Sequence, residues 1–413
     1  VKPDRDYPLL LGGQFLGAFG DNFLLAAILS PLTYELAAGR IGAARVGSEN
    51  AVYSAVFFVP FIVLAPIAGF LNDRMPKTSW LLGGNLVKAA GSAAGLAGSL
   101  MAGAAGHAWQ VAGYAVVGIG ACVYSPAKYG ILPEILPEAR LVKANGTVEM
   151  LTLVAIVLGL GGGAWLYDEV RSLPACYAAA ILLYAVALLL NAAMARSPSN
   201  PAARFGRTLS EFRASLASLL GNPRLGRILL GSGLFWFAGA TLRTNLQGWG
   251  LEVFREAGVA TVTNTRLVLL KIGLVLGASA GAMLAGQLHR TGDLRRTRPY
   301  GFALAGSVAL LGLLGGSLGL WVVVLALIAA GVSGALLVVP LNAALQAESD
   351  SATLGKTVSV QNFVDYLSML AGAGFLALTA RLGLAPTGAF VALGAVLAAL
   401  AAGLRIRPAR PPE

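Results

Sequence analysis

The stretch "YSPAKYGILPE" (Tyr124 to Glu134) is answered in the second half of the chain by "VVPLNAALQAE" (Val338 to Glu348). Pro126 and Glu134 meet Pro340 and Glu348 in this alignment. At nearly the same offset "KANGTVEM" (Lys143 to Met150) meets "KTVSVQNF" (Lys356 to Phe363). Matched segments in two halves of an apolar chain are the mark of transporters built from internal repeats. A receptor or a single-site membrane enzyme has little use for such a repeat.

The composition sets the medium. Of 413 residues, 57% are hydrophobic and 12% charged, about half the charged fraction of a soluble domain. Apolar runs of about 20 residues recur, each long enough to cross a bilayer core. The 53 glycines then read as surfaces for close helix contact, as in "GLAGSLMAGAAG" (Gly95 to Gly106). The net charge of +11 is spread over short loops and not along one basic face, so nucleic acid is not expected as a partner. Cys122 and Cys176 lie in apolar runs and read as small buried side chains. His107 and His289 lie far apart, so no metal site is expected. No phosphate-cradling loop appears, and no cofactor is expected. The first apolar run is too long for a signal peptide and carries Asp21, so the first helix is expected to be retained.

The runs predict spans at 8–36, 49–71, 79–103, 108–132, 144–168 and 172–195. A second set follows at 227–253, 264–288, 299–317, 320–346, 356–381 and 386–404. The expected fold is an all-α membrane protein with 12 transmembrane helices in two pseudo-symmetric six-helix bundles. The bundles are 1–195 and 227–413, joined by a linker over 196–226 that turns from Pro/Ser-rich to amphipathic. Lys and Arg crowd the loops on the side of the two termini. The opposite loops hold Arg40, Arg45, Arg171, Arg255, Arg266 and Arg381. Both termini are therefore expected in the cytoplasm.

A loop after the second span supplies the first likeness. "GFLNDRMPK" (Gly69 to Lys77) resembles the G-x-L-x-D-R-x-x-x-[RK] loop of the major facilitator superfamily, one residue shorter. Gly69 permits a close turn, and Asp73 can cap or brace a neighbouring helix end while Arg74 and Lys77 stay in the cytoplasm. Gly69, Asp73 and Arg74 are read as gating residues, against the plainer reading of positive-inside topology. "GQLHRTGDLRR" (Gly286 to Arg296) reads as a decayed partner of this loop.

Charges inside the spans are costly and mark polar cavities or partners. The candidates are Asp21, Lys88, Lys128, Glu149, Arg243, Lys271 and Asp365. At about 1.5 Å of rise per residue, Asp21 lies about 20 Å along the first span and Arg243 about 24 Å into the seventh. Asp21, beside Asn22, is read either as a buried acid paired with a lysine, or as an ammonium site or proton carrier. Arg243 forks onto phosphate or carboxylate, or pairs with Asp21 or Asp365. Lys128 can snorkel from its helix end. Pro126, expected to open the backbone, and Tyr124 and Tyr129, expected at interfacial depth, favour a headgroup site instead. Pro126 and its partner Pro340 are read as gating positions. Glu149 is matched in the repeat by Asn362 and can pair with Lys88. Asp365 shares a helix face with Asn362. Lys271 is read as structural.

At "QFLGAFGDN" (Gln14 to Asn22), "YSPAKYGIL", "LVKANGTVEM" (Leu141 to Met150), "LFWFAGATLR" (Leu234 to Arg243), "VVPLNAALQ" and "VQN" (Val360 to Asn362) the sequence resembles the bacterial lysophospholipid transporter family of the major facilitator superfamily. The matches run through both halves in order. The resemblance implies a flippase in the bacterial inner membrane. It would move lysophosphatidylethanolamine, lysophosphatidylglycerol and related lysolipids from outer to inner leaflet, where a cytoplasmic-side acyltransferase restores the second chain. It implies a polar site on Asp21, Lys128 and Arg243, joined by Glu149. Lys271 departs from the family's pattern.

The expected substrate contacts are thus Asp21, Asn22, Tyr124, Lys128, Glu149, Arg243, Asn362 and Asp365. No catalytic residue is expected, and the chain is read as a monomer. The rival readings are a proton-coupled drug or metabolite exporter of the same superfamily, a membrane acyltransferase, and a non-transporting scaffold or sensor. Neither histidine has an acid placed in sequence to build an acyltransferase centre.

Overall fold

The computed structural model describes residues 3–41, 43–197, 208–256, 264–314, 320–350 and 353–406. Among them the regular structure is helical throughout, with no strand. The elements are α1 (Pro3–Ala37), α2 (Ala43–Val63), α3 (Ala65–Arg74), α4 (Lys77–Ser99), α5 (Gly103–Gly130), α6 (Leu132–Ile135), α7 (Leu141–Val170) and α8 (Leu173–Ala192). There follow α9 (Thr208–Gly221), α10 (Pro223–Glu256), α11 (Asn264–Leu288), α12 (Thr297–Leu314), α13 (Leu320–Ala347), α14 (Leu354–Arg381) and α15 (Pro386–Ala402). Helices satisfy their own backbone groups, which lipid cannot do.

Seven of these helices, among the described residues, are long and apolar enough to cross a bilayer. The count is eight if α2 and α3, bent by 58° at Leu64, form one span. The bend has a cause: Pro66 in the first turn of α3 has no N–H to give to α2. The amphipathic linker helix expected from sequence is α9. Large apolar side chains such as Leu182, Leu189, Trp321 and Leu325 lie on the outside, as a surface facing lipid requires.

Pro126 departs from expectation, because it does not open its helix: α5 runs on to Gly130. Likewise α13, expected as one span, runs through Pro340 to Ala347. Pro126 removes the donor to the Cys122 carbonyl only, and Asn72 Nδ2 of α3 separately bonds the neighbouring Val123 carbonyl at 3.0 Å. The break comes a turn later, at Ile131, where Pro133 opens α6.

By contact the chain forms two compact units. One comprises Val1–Leu136, Val154–Ser215 and Asp350–Phe363; the other Pro137–Leu153, Leu216–Ser349 and Val364–Glu413. Equivalent contacts recur in them. In the first, a side-chain carbon on Gly69 would come within 3.0 Å of Lys356 Cα. In the second, one on Gly286 would come within 2.9 Å of Lys143 Cα. Gly69 and Gly286, like Lys356 and Lys143, are the positions the sequence repeat pairs. Likewise Arg5 Nη2 donates to the Ala193 carbonyl at 2.9 Å, and Arg227 Nη1 to the Arg405 carbonyl at 2.7 Å.

Glycines at seven-residue spacing set one close seam. Gly84, Gly91 and Gly98 of α4 face Gly120, Gly113 and Gly106 of α5. A methyl on Gly91 would stand 2.5 Å from the Gly113 carbonyl oxygen, and the reverse is equally true. Only glycine admits that approach.

Candidate functional site

In the first unit the polar centre is built on four helices. Asp21 on α1 is buried. Its Oδ2 accepts from Lys88 Nζ of α4 at 2.8 Å, and its Oδ1 from the Tyr184 hydroxyl of α8 at 2.9 Å. The Tyr114 hydroxyl of α5 donates to the Asp21 backbone carbonyl at 3.1 Å. One layer away, Asn191 Oδ1 accepts from Asn85 Nδ2 at 3.0 Å and from the Tyr124 hydroxyl at 3.4 Å. Lys88 Nζ lies over the Tyr124 and Tyr184 rings, 5.3 and 5.6 Å from their centroids. The buried acid and base thus hold each other, with the aromatic faces of Tyr124 and Tyr184 packed around the lysine nitrogen.

Lys88 therefore pairs with Asp21 and not with Glu149, the pairing open to it in sequence. Tyr124 is buried in this network and not at an interface. Asn22 turns its Nδ2 back to the Ala18 carbonyl of its own helix at 2.9 Å. Lys128 is buried, with Nζ 4.3 Å from the Tyr129 ring centroid, and lies within electrostatic reach of Asp21. It does not snorkel. Asn362 exchanges hydrogen bonds with Ser125 of α5, its Nδ2 donating to the Ser125 hydroxyl at 3.1 Å.

Tyr184 and Asn191 were absent from the sequence expectation, although a signal for them exists. Tyr177, Tyr184 and Asn191 stand seven apart on α8, which puts all three on one face. That face meets glycines: a side-chain carbon on Gly20 would strike the Tyr184 ring at 2.8 Å.

The C-terminal part of α3, a stretch that the sequence reads as a loop, forms a second site in the same unit. Asp73 Oδ1 accepts from the Gly355 N–H at 2.7 Å, and Oδ2 from the Lys356 N–H at 3.3 Å. Asp73 thus caps the start of α14, as its sequence setting suggested, and Gly69 gives the close approach. Arg74 is exposed. Lys77 is not a solvent-facing loop residue: it is buried and paired with Glu134. Lys356 Nζ meets Glu211 of the linker helix α9 at 2.6 Å, and Phe212 packs edge-on against Phe363.

In the second unit Asp365 on α14 is buried and accepts from the Ser232 hydroxyl of α10 at 2.7 Å. Glu149, also buried, and Trp236 are the other groups whose electrostatics reach it. Trp236 therefore does more than pack. Arg243 is exposed on α10. Asn145 and Gln346 pair side chain to side chain at 2.8 and 2.9 Å. The side chain of Lys271 lies outside the described residues. Among those described, no three His, Cys, Asp or Glu side chains converge as metal ligands would.

The Major Facilitator Superfamily sequence profile matches residues 10–373. Relatives from Photorhabdus laumondii and Cronobacter sakazakii, each named Lysophospholipid transporter LplT, are 31% and 33% identical to it. The alignments cover 95% and 97% of this chain and 93% and 95% of theirs. This chain belongs to the lysophospholipid transporter family of the Major Facilitator Superfamily. It is a multi-pass membrane protein. Solved structures agree on the fold. The human organic anion transporter MFSD10 superposes with a TM-score of 0.80 at 17% identity, covering 98% of this chain and 100% of its own. The Escherichia coli fucose:proton symporter FucP superposes at 0.72 and 14%, covering 98% of each.

Proposed function

We propose that this major facilitator carries lysophospholipids from the outer to the inner leaflet of a bacterial inner membrane. The observation that carries the reading is the family relationship over more than nine-tenths of the chain. The buried Asp21, Lys88 and Lys128 support it, because a lysolipid brings a phosphate and, in the ethanolamine form, an ammonium. An arriving headgroup offers its ammonium to Asp21 and its phosphate to Lys88 and Lys128, so the ion pair opens without stranding a charge. Arg243, Glu149, Asn362 and Asp365 are assigned to the later part of the headgroup's route. The single acyl chain stays in lipid.

In this reading twelve spans form bundles 1–195 and 227–413 around the linker 196–226, with both termini in the cytoplasm. The Asp73 cap on α14 holds the cytoplasmic ends and must release during transport. The carrier works as a monomer. A cytoplasmic-side acyltransferase consumes the product, so transport runs downhill without an ion gradient.

The test is flipping of labelled lysophosphatidylethanolamine by the purified protein in liposomes, with lysophosphatidylcholine alongside. Transport with no pH gradient is expected. Uptake that collapses with an uncoupler would instead favour a proton-coupled exporter.

A further inference from the structure

We infer that the ends of α1 and α7 form a docking site for a zwitterionic phosphate–ammonium headgroup at the extracytoplasmic interface, built around Arg171. The inference rests on the proposed function and topology and adds to them the place where substrate is first held.

Arg171 follows the last residue of α7 and has φ of 52°, the one positive φ outside glycine among the described residues. Its N–H donates to the Tyr167 carbonyl at 2.8 Å and so caps the helix in the left-handed conformation. Glycine is the usual residue for that cap, and side chains rarely adopt it. The arginine side chain is pinned by its surroundings. Nε donates to the Asp168 carbonyl at 2.9 Å, and the guanidinium carbon lies 3.7 Å from the Tyr34 ring centroid. Tyr34 is held in turn, its hydroxyl donating to Asp168 Oδ1 at 2.5 Å. The Tyr34 and Tyr167 ring centroids are 6.1 Å apart. Those contacts engage Nε and one face of the fork. They leave the two Nη groups for another partner, and the residue is exposed.

A rigid, exposed guanidinium fork fits a phosphate. Its neighbours fit the rest of the headgroup. Asp168 and Glu35 act electrostatically on Tyr167 together with Arg171, and Glu169 is exposed next in sequence. These acids outnumber the cation, so a headgroup that also carries an ammonium is favoured over one with net negative charge. Trp165 is 62% exposed one turn before Asp168, at the depth where aromatic belts sit. It offers apolar surface to the single chain. The site therefore selects ethanolamine over glycerol headgroups.

The test uses the full chain in neutral liposomes with labelled lysophosphatidylethanolamine and lysophosphatidylglycerol. Arg171→Gly keeps the left-handed cap and removes the fork. It is expected to raise KM for the ethanolamine lipid about 10-fold, with Tm no lower than wild type. Glu169→Gln is expected to lower KM for the glycerol lipid and narrow the gap between the two. An unchanged KM in Arg171→Gly overturns the site. So does a fall in its Tm, which would make Arg171 a structural cap. If wild-type protein moves no lysolipid, the proposed function fails first. Binding of soluble glycerophosphoethanolamine then still reads the site: weakening by Arg171→Gly supports it, and no change overturns it.

Discussion

Asp73 Oδ1 accepts the backbone N–H of Gly355 at 2.7 Å across 282 residues of sequence. That N–H belongs to the first turn of α14, where no intrahelical carbonyl reaches it. The carboxylate also faces the positive end of the helix dipole. Asp73→Asn keeps an acceptor but loses the anion, and Asp73→Ala loses both. The expected loss at the α14 N-terminus is about 1–2 kcal/mol for alanine and less for asparagine. Hydrogen exchange of the Gly355 and Lys356 amides should accelerate in that order. Gly355→Val should match or exceed alanine, since its Cβ would stand 2.6 Å from Asp73 Oδ1. Unchanged exchange in all three would remove the cap as a holding device.

The Asp21–Lys88 pair separates structure from transport. Removing one partner strands the other charge in the bundle. Asp21→Ala or Lys88→Ala alone should therefore cost about 3–5 kcal/mol. The double variant Asp21→Asn with Lys88→Met strands no charge and should recover most of the loss. Thermal unfolding in detergent gives the cycle. Lysolipid flipping should stay lost in the double variant. Recovered flipping would show that Asp21 serves packing and not the headgroup.

Much of this arrangement was legible in the sequence. The repeat placed Lys143 and Lys356 as equivalents, and they meet equivalent glycines, Gly286 and Gly69. Asp73 was readable as a helix cap because an acid followed a glycine in a short loop. What sequence could not give was partner choice. Spacing along one helix fixes the face a residue occupies, but not the helix that face will meet. Hence Lys88 was open to Glu149, and it is Asp21 that holds it. Tyr124 failed for another reason. A tyrosine near a helix end reads as interfacial, yet here its hydroxyl finds Asn191 and the ring is buried. Pro126 reads as a break because it has no N–H, yet losing its one bond to the Cys122 carbonyl leaves the rest of α5 intact.

The glycine seam between α4 and α5 predicts a steep steric response. Gly91→Ala places a carbon 2.5 Å from the Gly113 carbonyl and 2.8 Å from the Val117 amide nitrogen. Both are backbone atoms, so the helices must part. A cost of about 1–3 kcal/mol is expected for alanine, and loss of folded protein for valine. Gly161 on α7 is exposed, with open space around its missing side chain. Gly161→Ala should be neutral or stabilising by up to about 1 kcal/mol. Size-exclusion profiles and Tm of the two alanine variants check the contrast. Equal behaviour would show that the seam is looser than its distances imply.

His289, just beyond the end of α11, predicts a pH response. Its Nε2 stands 3.0 Å from the Tyr300 hydroxyl, and the residue is buried. Burial holds its pKa below the ordinary imidazole value, with Asp293 pulling the other way and Arg296 adding to the depression. The unfolded chain therefore takes up this proton at higher pH than the folded one does. The contribution is complete above the unfolded pKa of about 6.5 and is lost as pH falls through it toward the folded value. Wild-type Tm should drop between pH 7.5 and pH 5 by more than that of His289→Gln, which has nothing to titrate there. Other acids titrate alike in both proteins, so the difference between the two curves isolates the histidine. A difference that is flat with pH, or one that grows as pH rises, would mean that burial does not govern this ring.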